Sequence, residues 1–181
     1  MTMSILLRFR DRPRHELRRL TLALAGLCRS IAARDTGAKE RFAGLSRSIA
    51  RALPLMKRTG RGRPDLLSHL ETAAACLERA YLDMELHELT PDEVSIEALL
   101  FAGRALQLQA DFIARPAAQA PLAEAAKNIA SASKGLAPAL RAAAAENRDF
   151  IANLKFSRIY SGLEKTVRAV DDYAELLART L

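Results

Sequence analysis

Apolar residues recur along most of the chain at steps of three and four, the spacing that gathers them on one face of an α-helix. Leu17, Leu20, Leu24, Leu27 and Ile31 draw the first such stripe. It predicts a helix over residues 13–34, with Pro13 in the first turn, where its missing N–H leaves no bond unmade. Arg14, Arg18, Arg19 and Arg29 fall outside the stripe, and Asp35-Thr36-Gly37 reads as a break. A second helix carries Phe42, Leu45, Ile49, Leu53 and Met56, and Pro54 should kink or end it. Beyond the basic, glycine-containing segment 58–64, a third helix is predicted over 65–89, with Leu66, Leu70, Ala73, Leu77, Ala80 and Met84 as its stripe.

Thr90-Pro91-Asp92-Glu93 has the order of a capping box: a threonine cap, a first-turn proline and a glutamate at the third helical position. A fourth helix follows on Ile96, Leu99, Gly103, Leu106, Ala110 and Ile113, ending near Arg115-Pro116, and residues 116–121 form a short linker. A fifth stripe, Leu122, Ala126, Ile129, Leu136 and Leu140, contains Gly135 and Pro138, which should bend or break it. The last helix, from about residue 149, carries Phe156, Tyr160, Leu163, Val167, Val170, Ala174 and Leu177. Helices with one apolar face and short linkers must fold back on one another. The expected fold is all-α, a six-helix antiparallel bundle. Residues 1–181 form a single helical domain, with one three-helix half over about 12–89 and a second over about 91–181. Leu24, Leu77, Leu106 and Leu163 lie mid-stripe and should be buried.

Composition agrees with the pattern: 35 Ala and 29 Leu stand against 3 Val, which favours helix over strand. Cys28 and Cys76 are too few for a disulfide framework and point to a reducing compartment. The net charge of +7 conceals an asymmetry. Residues 1–63 hold 16 Arg and Lys against 4 acids, whereas residues 64–181 hold 12 against 17. A basic first third suggests an anionic partner: a phospholipid surface, nucleic acid or an acidic protein face. Arg8, Arg10, Arg12, Arg14, Arg18 and Arg19 are the candidate anion- or partner-binding residues and should be largely exposed; the alternative places them on solvated helix faces. Ile5, Leu6 and Leu7 are too short a cluster for a signal-peptide core. No apolar run approaches the roughly 20 residues of a membrane span. The expected location is cytoplasmic, with peripheral attachment at the inner membrane face.

Sequence motifs for nucleotide binding, zinc chemistry and the nucleophile elbow are absent, so neither a catalytic residue nor a cofactor is expected. His69, Cys76, Asp83 and His87 share one stripe of the third helix but extend over about 27 Å, so only Asp83 and His87 could share an ion. The acidic run Glu78, Asp83, Glu85, Glu88, Asp92, Glu93 and Glu97 has one internal base, Arg79. It reads as a solvated face and as helix-start chemistry, with an alternative role opposite the basic first third. Glu164, Arg168 and Asp172 recur at four-residue intervals as a ladder of surface ion pairs.

Leu154-Lys155-Phe156, Ile159-Tyr160, Leu163-Glu164, Asp172 and Ala174 give the last helix a likeness beyond its period. The stretch resembles the C-terminal helix of PhoU-like phosphate-transport regulators, in particular the branch associated with Pit-type transporters. Thr90-Pro91-Asp92-Glu93 resembles that family's Thr-Pro turn before its fourth helix, and the number and order of helices agree. In that branch the last helix carries acids every four residues that help bind metal ions. Glu164 and Asp172 match, and Arg168 stands in place of the middle acid. The family's dense acidic cluster on the third helix is replaced by Leu70-Glu71-Thr72-Ala73-Ala74, and its paired aspartates on the fourth by Leu100-Phe101-Ala102-Gly103-Arg104-Ala105. The resemblance therefore implies the fold and a regulatory role without the metal cluster, with Glu164 and Asp172 as residual positions serving structure.

Three functions compete. The first is a non-enzymatic regulatory or adaptor protein that binds a phosphate transporter or an anionic membrane surface. The second is a basic helical nucleic-acid-binding protein, and the third a metal-dependent helical enzyme or store, the last short of ligands. A homo-oligomer is compatible with all three.

Overall fold

In the computed structural model, which describes residues 2–58, 64–115 and 150–180 together with Ala120, Glu124 and Ala142, the apolar stripes become five helices. They are α1 (Thr2–Ala32), α2 (Ala38–Arg58), α3 (Pro64–Leu86), α4 (Glu93–Ala114) and α5 (Phe150–Thr180). The described residues contain no strand. The stripe Leu122 to Leu140 and residues 59–63 lie outside them.

The prolines and helix ends depart from the sequence expectation. Pro13 is interior to α1, which begins at Thr2, and Pro54 is interior to α2. An interior proline forfeits one backbone bond and crowds the carbonyl four residues back; helix formers on both sides carry each helix through. α1 and α3 end sooner than predicted, both in the same device. Leu89 N–H donates to Met84 O at 2.9 Å and Glu88 N–H to Glu85 O at 3.2 Å, with Glu88 left-handed at φ 53°. Asp35 N–H likewise reaches Ser30 O at 2.9 Å and Arg34 N–H reaches Ile31 O at 3.0 Å, with Arg34 at φ 59°. These are Schellman closures, which ordinarily place glycine at the left-handed position. The α4 cap is Asp92, not Thr90: its Oδ1 accepts Ser95 N–H at 2.9 Å, and the helix starts at Glu93. A carboxylate at the cap satisfies an orphan N–H and faces the positive helix end, which displaces the threonine two residues earlier.

α1 lies antiparallel along α4, and α3 antiparallel along α5. Arg34 donates to Pro91 O at 3.4 Å at one end of the first pair, and Gly103 meets Ala25 further along. Both long interfaces cross the Thr90-Pro91 junction. α2 bridges α1 and α3, with the Phe42 and Tyr81 rings 5.7 Å apart, and α4 packs on α5. Leu24, Leu77, Leu106 and Leu163 are buried in the shared core. The core also holds polar contacts. Thr21 Oγ1 donates to Leu17 O at 2.9 Å, so at Tyr173, 2.8 Å away, the phenol must donate to Thr21. Gln109 Nε2 donates to Val170 O at 3.1 Å, tying α4 to α5.

Each long pair is seamed by a glycine. A methyl at position 162 would sit 2.9 Å from Ala80 Cβ, and one at 103 would sit 3.3 Å from Ala25 O and Cys28 Cβ. Around Gly26 and Gly44 there is nothing within 4 Å. Glycine in an open helical position costs about 1 kcal/mol relative to alanine, while forcing packed backbones apart costs about 1–3 kcal/mol. Gly162→Ala should therefore lower the denaturant midpoint, whereas Gly26→Ala and Gly44→Ala should each raise stability by up to about 1 kcal/mol. Equal effects at the three sites would refute the α3–α5 seam.

Candidate functional site

Antiparallel register sets Ala80 against Gly162 and Asp83 beside Arg158. On the outer side of that pair runs an open groove of about 810 Å³. Its middle is small (Ala75, Cys76, Ser161 and Gly162), and its walls carry Arg79, Arg158 and Lys165 with Glu71 and Asp83. Asp83 is buried, 6% exposed, between Arg79 at 3.6 Å and Arg158 at 3.8 Å. Those separations exceed the roughly 2.8 Å of a charge-assisted hydrogen bond. The two guanidiniums, 68% and 51% exposed, neutralise the buried carboxylate while keeping donors for another acceptor. The groove hydroxyls include Ser157, Ser161 and Thr72, the last bonded to Ser68 O at 2.9 Å.

Of the third-helix stripe, the structure brings Cys76 and Asp83 onto this groove. His69 is half-buried elsewhere, and His87 is half-buried with Nε2 enclosed and without a hydrogen-bond partner among the described residues. In the acidic run, Glu85, Glu88, Glu93 and Glu97 are exposed, Glu78 is half-buried, and Asp92 is the α4 cap. Among the described residues no three His, Cys, Asp or Glu side chains are grouped to hold a metal ion, and no helix is long and apolar enough to cross a membrane.

Of the basic set on α1, Arg12 and Arg19 are exposed. Arg14 and Arg18 are half-buried rather than largely exposed, because their positions border the Leu17–Leu20 stripe, and the Arg18 Nε is itself enclosed. Arg19 is held by Glu16 through bonds of 2.6 and 3.0 Å. The side chains of Arg8 and Arg10 lie outside the described part. On α5, Arg168 binds Glu164 at 2.6 Å, and Asp172 is exposed one turn on.

The sequence reading missed the groove set Arg79, Arg158, Ser161 and Lys165. A signal existed: Ser68, Thr72 and Cys76, and again Ser157, Ser161 and Lys165, repeat small or polar side chains every fourth residue, a second face beside the apolar stripe. It also missed the Tyr160 hydroxyl, which donates to Asp92 Oδ2, so a single carboxylate caps α4 and tethers α5.

No family model, no curated protein and no solved structure matches the chain.

Two expectations follow from these side chains. Burial holds the Tyr173 and Tyr160 hydroxyls well above the usual range, with the Asp92 carboxylate adding to the effect at Tyr160. Up to about pH 10 the phenols are neutral in folded and unfolded chains alike. Above it the unfolded chain ionises first, so stability should fall as pH rises toward the folded values. Far-UV circular dichroism and tyrosinate absorbance should then change together, with a shallower loss in Tyr173→Phe; early ionisation without unfolding would contradict the burial. At the ladder, the Arg168 cation opposes a divalent ion between Glu164 and Asp172. Elemental analysis of protein purified without chelator should show no stoichiometric iron, zinc or manganese; a metal lost in Glu164→Ala or Asp172→Ala would reverse this reading.

Proposed function

We propose that the chain is a non-enzymatic regulatory or adaptor protein of the PhoU-like type, built as a six-helix bundle. The observation that carries this reading is the bond from Tyr160 to Asp92. The two segments that resemble the family, Thr90-Pro91-Asp92-Glu93 and the helix from Leu154 to Leu177, are far apart in sequence and meet there.

The adaptor acts through its basic first third, at the cytoplasmic face of a phosphate transporter or the anionic lipid around it. Arg12, Arg14 and Arg18 lie on the described part of that surface, and Arg8 and Arg10 precede them on α1. Each cation near an anionic bilayer contributes about 1 kcal/mol, screened by salt. Co-sedimentation should show binding to phosphatidylglycerol vesicles, weaker binding to phosphatidylcholine vesicles, and loss on changing Arg8, Arg10, Arg12, Arg14 and Arg18 to glutamine. Equal binding to both vesicles would defeat the membrane reading. Retention on duplex DNA with a steep salt dependence, without vesicle binding, would favour a nucleic-acid partner instead.

A further inference from the structure

Toward the Asp83–Arg158 end of the groove between α3 and α5, Leu82 and Leu86 of α3 and Leu154 of α5 are 44%, 72% and 58% exposed. At 100° per residue, Leu82 and Leu86 fall close to the direction of Ala75, and Leu154 lies one turn before Ser157 and Arg158. From Ser68 to Leu86 the face is about 27 Å long at 1.5 Å per residue. It is open and about five turns of helix in length. The small residues at its middle leave room for another backbone to come near, since the distance between packed helices is set by the side chains at the contact.

We infer that this face docks an amphipathic acidic helix of a partner protein. The apolar side of that helix lies on Leu82, Leu86 and Leu154 and over Ala75 and Ser161. Its carboxylates meet Arg79, Arg158 and Lys165, whose near acids are Asp83, already shared by two arginines, and Glu71 at the far end. Helix-in-groove recognition uses this combination of apolar anchors and flanking charge. Other occupants fit worse. A second copy of the face would bring the same three cations against their own kind. A bilayer surface would reach the exposed leucines but not the small residues between the groove walls. The inference goes beyond the membrane-surface reading. Arg12 to Arg19 precede Thr21, which meets α5 at Tyr173, whereas Leu154 is at the other end of α5. Either can fail without the other.

The test is selection of helical peptides from a random display library on the intact chain, followed by anisotropy titration of the enriched peptides. Enriched sequences should be amphipathic and acidic. Their affinity should fall about tenfold or more in Leu86→Asp, in Arg158→Glu and in Ser161→Gln, which fills the middle of the groove without changing charge. Arg51→Gln, at an exposed position of α2, should leave binding unchanged. Leu86 and Ser161 are exposed, so those two variants keep the fold even if Arg158→Glu, beside buried Asp83, does not; thermal unfolding checks each. Three results would overturn the inference: no enrichment, enrichment of neutral or basic peptides, or affinities within about twofold in Leu86→Asp and Ser161→Gln. Sedimentation showing a dimer that Leu86→Asp disperses would also overturn it, by assigning the face to a second copy.

Discussion

The distance between paired helices is the constraint on which the rest of the structure depends. At Gly162 the α5 backbone runs against Ala80 with no room for a methyl group, and at Gly103 the α4 backbone lies on Ala25 and Cys28 of α1. Helices brought this close bury their apolar stripes completely, so the leucines at 24, 77 and 106 lose all contact with water. The same closeness brings polar groups within reach across the pairs. Tyr173 can donate to Thr21, and Gln109 can donate to the carbonyl of Val170, only because α5 sits near both α1 and α4. In a low-dielectric interior such bonds matter chiefly because their loss would strand a buried donor. They therefore fix the register that the apolar contacts alone would leave loose.

What could be read from the sequence was the part encoded by period. The stripes of α1, α3, α4 and α5 mark the middle of each buried face, because spacing at three and four is itself the statement of which face is covered, while Thr21, Leu67, Tyr81, Phe112 and Tyr173 are buried beside them. The helix ends were less legible. Arg34 and Glu88 occupy left-handed closures that glycine usually marks, and their side chains give no hint of it. At the start of α4, Thr90 and Asp92 are both competent caps. The choice falls to the one that can also receive the Tyr160 hydroxyl from a helix some seventy residues later, a partner that local pattern does not name.

The groove was illegible for a related reason. Ser157, Ser161 and Thr72 are ordinary solvated positions when each helix is read alone. They become a channel only when α3 and α5 are antiparallel with Ala80 at Gly162, a register set by a single missing methyl. The basic first third was legible as charge but not as surface. Arg14 and Arg18 are half-buried at the border of the apolar stripe, and Arg19 is taken by Glu16. Net charge counts side chains; the field that a partner meets depends on how many of them are free to face it.

Asp83 links the seam to the groove. A carboxylate this deeply buried needs compensating charge, since an unpaired charge held away from water costs several kcal/mol. The compensation comes from Arg79 on its own helix and Arg158 across the seam, both of them more than half exposed. The ion pair is thus asymmetric: its negative member belongs to the interior and its positive members to the surface. Were α5 displaced outward by a side chain at 162, Arg158 would move away from Asp83 and the groove would lose one of its walls. Closeness of the backbones, charge compensation of the buried carboxylate and the presence of cations along the groove are consequently one condition, met at Gly162.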